Sequence, residues 1–249
     1  IPLAEVSITA ADTKITPYDT GTFGSSQTFI CGTAVRRACL DVYESLKKLL
    51  SELSGEMVPL CDRSFFIGKD KLDFRAAVKL AMFHQRGGVI IGRGCYKADA
   101  CPNPFSVCMV KAEYHRSINA VRLLHLIEAV DVGTPINPLT VEGQIEGGAA
   151  QGVGYTLTEQ IEINNIAKKP LSTDLLHYKI PLASDLPRIH ALIADGYEPV
   201  GPCGAKSVGE LSTVPIAPAI VNAVSRASGR EISRLPLCEE FLVLPNVTE

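Results

Sequence analysis

Glu210 closes the run Gly204-Ala205-Lys206-Ser207-Val208-Gly209-Glu210, and Leu211-Ser212-Thr213-Val214-Pro215 follows it. One carboxylate in a glycine-flanked loop ahead of an expected helix has the makings of a general base. Small residues such as Gly209 let the backbone approach a bulky cofactor closely, Lys206 is available for an anionic group, and Glu210 is left to face a reacting centre. The same residues also read as a loop whose Glu complements a helix N-terminus. A carboxylate is a weak base in water, so the catalytic reading requires Glu210 to be close, aligned and partly desolvated.

The elements that must position this loop can be sought in the periodicity. After it, a helix is expected from Val214 or Pro215 to Ser228, where Gly229 ends it, and a strand at 240–244. Before it, Asn137-Pro138 is a strong helix start, with Asn as cap and Pro in the first turn, for a helix running to about Thr158. Gly143, Gly147, Gly148, Gly152 and Gly154 fall inside that helix, each disfavouring it by roughly 1 kcal/mol relative to Ala. Close approach to a ligand or to another helix is needed to offset that cost. Helices are also expected at 33–53, with Val35, Val42, Leu46, Leu49 and Leu53 at helical spacing before Gly55, and at 73–85, capped by Asp73. Strands are expected at 88–92, 105–114, 121–131 and 189–195, and an irregular segment at 174–188. The fold class is α+β, with mixed helices and largely antiparallel sheets.

At 249 residues, 46% hydrophobic and 20% charged, the chain can bury a large core and lacks the composition of a disordered segment. It reads as one large domain or two lobes with a soft boundary near residue 118. A net charge of -3 without a dense Lys/Arg run argues against a nucleic-acid partner. No apolar run is long enough to cross a bilayer, and the first residues lack the pattern of a signal peptide. The expectation is a soluble, cytoplasmic protein, and Ile1 in place of Met suggests a processed or trimmed chain.

Eight cysteines, at 31, 39, 61, 95, 101, 108, 203 and 238, include no CxxC pair. They read as reduced thiols, with a metal site at Cys95, Cys101 and Cys108 as the alternative. The five histidines are not paired at ligand spacing. Gly152-Val153-Gly154 lies inside the expected helix rather than between strand and helix, and there is no G-x-S-x-G, Walker loop or HExxH.

The loop at 204–210 resembles the Gly-Ala-Lys-x-Val-Gly-Glu signature of the molybdenum hydroxylases, the family of xanthine dehydrogenase, aldehyde oxidase and nicotinate dehydrogenase. Two further segments are similar to that family in the same order. Asp131-Val132-Gly133-Thr134-Pro135-Ile136-Asn137-Pro138 leads into Val141-Glu142-Gly143-Gln144 and on through Gln151-Gly152-Val153-Gly154. Near the start, Ala11-Asp12-Thr13 and Thr16-Pro17-Tyr18-Asp19 precede Gly24-Ser25-Ser26-Gln27-Thr28 and Gly32-Thr33-Ala34-Val35. The Tyr178 to Pro187 stretch resembles a fourth family segment.

The resemblance implies the fold of the carboxy-terminal portion of a molybdopterin-binding domain and a matching activity. In that family a Glu, here Glu210, takes a proton from a hydroxyl on molybdenum. The oxygen attacks an electron-poor carbon, and hydride passes to a sulfur or selenium ligand. The metal is held by a pterin dithiolene, expected in its cytosine dinucleotide form, so no protein metal ligand is required. Gln151 matches a glutamine near the dithiolene; Gly24, Ser25 and Thr28 match the segment around the pterin and its phosphate; Lys206 and Gly209 are expected at the cofactor too.

A glycine-rich segment and a substrate-side arginine of the complete family unit have no match here. The chain is therefore expected to work with a larger molybdopterin-binding subunit, an iron-sulfur subunit with 2Fe-2S clusters and an FAD subunit. The implied substrate is an N-heterocycle such as a purine or nicotinate. An aldehyde, an aromatic thioester, or a non-catalytic assembly or binding protein retaining the fold are the alternatives.

Overall fold

The computed structural model describes residues 4, 6–9, 12–16, 18–61, 64–84, 89–99 and 101–246. Ala11 and Pro17, from the first family-like segment, lie outside these. The chain forms two compact units, one of residues 1–23 and 27–99 and one of residues 24–26 and 100–249.

In the first unit, α1 (Gln27–Ser54) is followed by the antiparallel strands β1 (Leu60–Cys61), β2 (Ser64–Ile67) and β3 (Asp70–Asp73), then α2 (Phe74–Phe83). Helix α1 begins six residues before the expected Thr33, because Phe29 and Thr33 extend the buried stripe of Leu46 and Leu50. Asp73 caps α2 by accepting from the Ala76 N–H. Leu46, Leu50, Val58, Phe65, Ala77 and Ala81 form the core. Residues 89–92 are not a strand: this stretch lies against α1, where a Cβ at Gly92 would meet the Ala38 carbonyl and the Arg93 N–H donates to Asp41.

The second unit is built on a sheet in the order β4 (Phe105–His115), β5 (Ala120–Asp131), β8 (Arg188–Ile193), with β9 (Leu242–Val243) at the start of β5. A small β6 (Ile163–Asn164) and β7 (Lys169–Pro170) hairpin stands apart. Strands β4 and β5 pair antiparallel on either side of a turn containing Ile118, while β8 and β9 join β5 in parallel. Alternation in β4 sends Cys108, Val110, Ala112 and Tyr114 towards the core.

Helices α3 (Pro138–Leu157) and α4 (Ile216–Ser228) pack against Val121, Leu123 and Leu126 of β5 through Ala149, Val153, Leu157, Ile216, Ile220 and Val224. The Asn137 side chain caps α3, and Gly229, at φ 72°, ends α4. Four of the five glycines of α3 divide into two groups. A Cβ at Gly148 or Gly152 would enter Ser212 or Ile216, whereas Gly143 and Gly147 have nothing within 4 Å of that position. No helix among the described residues is long and apolar enough to cross a membrane.

Glu128 is the anomaly of this core. It lies on β5 between the two apolar clusters beneath α3, is 0% exposed, and neither carboxylate oxygen has a hydrogen-bond partner among the described residues. Burial alone pushes its pKa up from 4.5 to about 8. Cys108 stands opposite it across the strands, with its thiol pushed up to about 12 by burial and by the nearby carboxyl. The folded chain therefore holds a proton on Glu128 that the unfolded chain gives up. Its contribution is complete below pH 4.5 and is lost as pH rises towards 8, by roughly 5 kcal/mol across that window. Urea unfolding of Glu128→Gln across pH 4.5 to 9 is expected to show the variant gaining on the parent as pH rises; parallel stability curves would contradict this.

Candidate functional site

Glu210 opens a 310 turn, Glu210–Thr213, between the loop at 204–209 and α4. The turn, rather than a continuous helix, presents its carboxylate on an exposed corner. Beneath it the side chains are committed to holding the turn in place. The Ser212 hydroxyl lies 3.1 Å from the Gln144 carbonyl and 2.8 Å from that of Gly209. Tyr155 donates to the Thr213 carbonyl at 2.7 Å, and Ser106 of β4 to that of Leu211 at 3.3 Å. Gly148 is small because Ser212 occupies the space its side chain would need.

The loop leading to Glu210 is laid along the end of β5. The Lys206 N–H donates to the Val132 carbonyl and the Thr134 N–H to that of Gly204, both at 2.7 Å, around a bridge between Gly133 and Ala205. The Lys206 side chain, only 8% exposed, puts its ammonium 2.6 Å from Asp131 Oδ2, 3.2 Å from the Asn103 carbonyl and 5.6 Å from the centre of the Phe105 ring. Burial alone would raise the pKa of Asp131. The hydrogen bonds it accepts from Lys206 and from the Gly133 N–H, together with the lysine charge, hold it below the usual carboxylate range.

At the exposed end, the Glu210 N–H donates to Ser25 Oγ at 2.8 Å, and the Ser25 hydroxyl donates to Glu210 Oε2 at 3.1 Å. A Cβ at Gly209 would stand 2.7 Å from Ser25 Oγ. The expected residues thus fall into four places. Ser25, Gly209 and Glu210 are in mutual contact, with Gly24 beside them in the chain at φ 57°. Gln151 is exposed on α3, in helical register with Gly148 and Tyr155, and makes no hydrogen bond among the described residues. Lys206 is turned inward, its nearly buried ammonium paired with Asp131. Thr28 is exposed in the first turn of α1, in the other unit.

Sequence reasoning assigned no role to Asp131, Ser212, Gln144 or Tyr155. Asp131 had a signal, since a buried loop lysine calls for a carboxylate. The others act through main-chain geometry that only folding creates. Among the described residues no group of three or more His, Cys, Asp or Glu could hold a metal ion. The free donor amide of Gln151, the exposed carboxylate of Glu210 and the open positions at Gly143 and Gly147 suit a metal that arrives within its own organic ligand.

This combination fits a domain that holds a cofactor through side-chain donors and close backbone. A family model described as the molybdopterin cofactor-binding domain matches residues 1–187, and the chain belongs to that family. It is 30% identical over 251 residues to the xanthine dehydrogenase molybdenum-binding subunit of Escherichia coli O157:H7, a match covering 97% of this chain and 33% of that one. It is 29% identical over 248 residues to the 6-hydroxypseudooxynicotine dehydrogenase complex subunit gamma of Paenarthrobacter nicotinovorans, covering 94% and 31%. Quinoline 2-oxidoreductase from Pseudomonas putida 86 superimposes with a TM-score of 0.77 at 27% identity, over 90% of this chain and 30% of that one. The chain spans about a third of the length of the relatives it matches.

Asp131→Asn would leave the Lys206 ammonium buried without its counter-charge, so it is expected to cost about 3 kcal/mol. Urea unfolding followed by circular dichroism would measure this, and a loss below about 1 kcal/mol would show that the pair does not anchor the loop.

Proposed function

We propose that this chain is the carboxy-terminal, molybdopterin-binding part of a molybdenum hydroxylase. It would act on an electron-poor carbon of an N-heterocycle of the purine or nicotinate kind, with water as the oxygen source. The observation that carries the reading is the exposed Glu210 carboxylate, held on a turn that packs on the same face of α3 as Gln151. Xanthine and quinoline, after which two of the similar proteins are named, are N-heterocycles.

In this reading Gln151 and the backbone at Gly24 and Gly209 hold the cofactor. When bound, the cofactor would supply the oxidising chemistry, activating water as the oxygen nucleophile and accepting two electrons. The chain's own part is to place the Glu210 carboxylate where it accepts the proton from that nucleophile. Lys206, its ammonium paired with Asp131, supports the loop beside the cofactor. Both units are lobes of one molybdopterin-binding domain. The cytosine dinucleotide form of the pterin, a larger molybdopterin-binding polypeptide for the rest of the site, and partner subunits with 2Fe-2S clusters and FAD complete the proposal, in the cytoplasm. The name of the subunit gamma relative, part of a dehydrogenase complex, supports a multi-subunit arrangement.

Glu210→Gln keeps the size of the side chain and removes its basicity. In the native complex isolated through this chain, its turnover of hypoxanthine, xanthine, nicotinate or quinoline is expected to fall at least ~100-fold with molybdenum retained. Near-normal turnover of the variant, or an intact complex free of molybdenum, would overturn the reading.

A further inference from the structure

We propose that Ser25 is a positioning residue for Glu210, its hydroxyl committed to the carboxylate rather than to the cofactor or its phosphate. The proposal rests on the reading of Glu210 as the base. Three independent features of the chain converge on this one contact.

The first is the two-way hydrogen bond. Ser25 Oγ accepts the Glu210 N–H at 2.8 Å and its own proton points to Glu210 Oε2 at 3.1 Å. A serine hydroxyl has a single proton to donate, and here it is spent on a residue 185 positions away. The main-chain half of the clasp fixes where the turn begins. The side-chain half selects one orientation of an otherwise exposed, rotamer-rich glutamate.

The second is the backbone that delivers the hydroxyl. Gly24 and Ser25 are consecutive left-handed residues, at φ 57° and 55°. For glycine this is free, but for serine it is an uncommon conformation that the surroundings must enforce. The third is the absence of a side chain on the opposite wall. At Gly209 an added Cβ would come within 2.7 Å of Ser25 Oγ and 3.2 Å of its Cβ. Gly209 is therefore required for the approach of Ser25 to the turn, in addition to any closeness to a cofactor.

The test uses Ser25→Ala, Ser25→Gly, Glu210→Gln and the Ser25→Ala/Glu210→Gln double variant, each as the native complex isolated through this chain. Ser25→Gly removes the hydroxyl while accepting the left-handed backbone, so it separates loss of the bond from strain. The probe is whichever of hypoxanthine, xanthine, nicotinate and quinoline is turned over fastest, followed by kcat/KM and, for slow variants, single-turnover reduction. Both serine variants are expected to lose roughly 10-fold or more in kcat/KM with molybdenum retained. Ser25→Ala is expected to cost nothing further in the Glu210→Gln background. Amide hydrogen exchange at Glu210 in the full chain is expected to accelerate at least ~10-fold in both variants, a readout independent of any substrate.

An equal loss from Ser25→Ala in both backgrounds, molybdenum lost from the serine variants, or unchanged exchange at Glu210 would overturn the proposal while leaving the base reading intact. Normal turnover by Glu210→Gln would overturn both.

Discussion

The pairing of Lys206 with Asp131 is the contact on which the geometry of the site depends. The loop docks few apolar side chains, Ala205 and Val208 among them, so directed bonds must supply much of its placement. Lys206 provides two kinds, a main-chain bond to Val132 and an ammonium held among Asp131, the Asn103 carbonyl and the Phe105 ring. With its ammonium nearly buried, separation from Asp131 would leave a charge without compensation. The loop is thereby registered against the end of β5, and Glu210 emerges at a defined point a few residues on.

Helix α3 extends this registration. Its glycines serve different ends, and the helix as a whole tolerates them because tertiary packing outweighs their intrinsic cost. Gly148 and Gly152 let Ser212 and Ile216 approach the helix axis, drawing the Glu210 turn and the start of α4 onto one face. A Cβ at Gly143 or Gly147 would meet nothing within 4 Å among the described residues. Both glycines leave backbone open on a helix whose exposed Gln151 points to the same use, the approach of a group larger than a side chain. Against this polar rim, Glu128 stands out as a carboxyl buried beneath the same helix without a partner among the described residues. Its proton, not a counter-ion, makes it tolerable there.

Much of the architecture is legible in local chemistry. Asn137-Pro138 and Gly229 mark helix ends because their effects act within one turn of the chain. The alternation at 105–115 marks a half-buried strand for the same local reason. The small three-stranded sheet of β1, β2 and β3 is not legible, since its strands are two to four residues long and carry too little alternation. Residues 89–92 carry the apolar composition of a strand, yet α1 supplies their packing partner and no ladder forms. The parallel arrangement of β8 and β9 on β5 is equally invisible, because direction in a sheet is set by the path of the intervening chain.

The sequence by itself determined the kinds of group available: a lone glutamate after a glycine, a glutamine in a glycine-rich helix, and an ordered set of family-like segments covering most of the chain. Those follow from residue identity and spacing, which need no third dimension. Only the tertiary structure decided what each group is free to do. It turned Lys206 inward because β5 ends in a carboxylate at the height of the loop. It carried Ser25 across 185 positions to the Glu210 carboxylate, and it left Gln151 unspent. Hydrogen-bond commitments between distant residues depend on how the chain returns upon itself, and no local pattern encodes them.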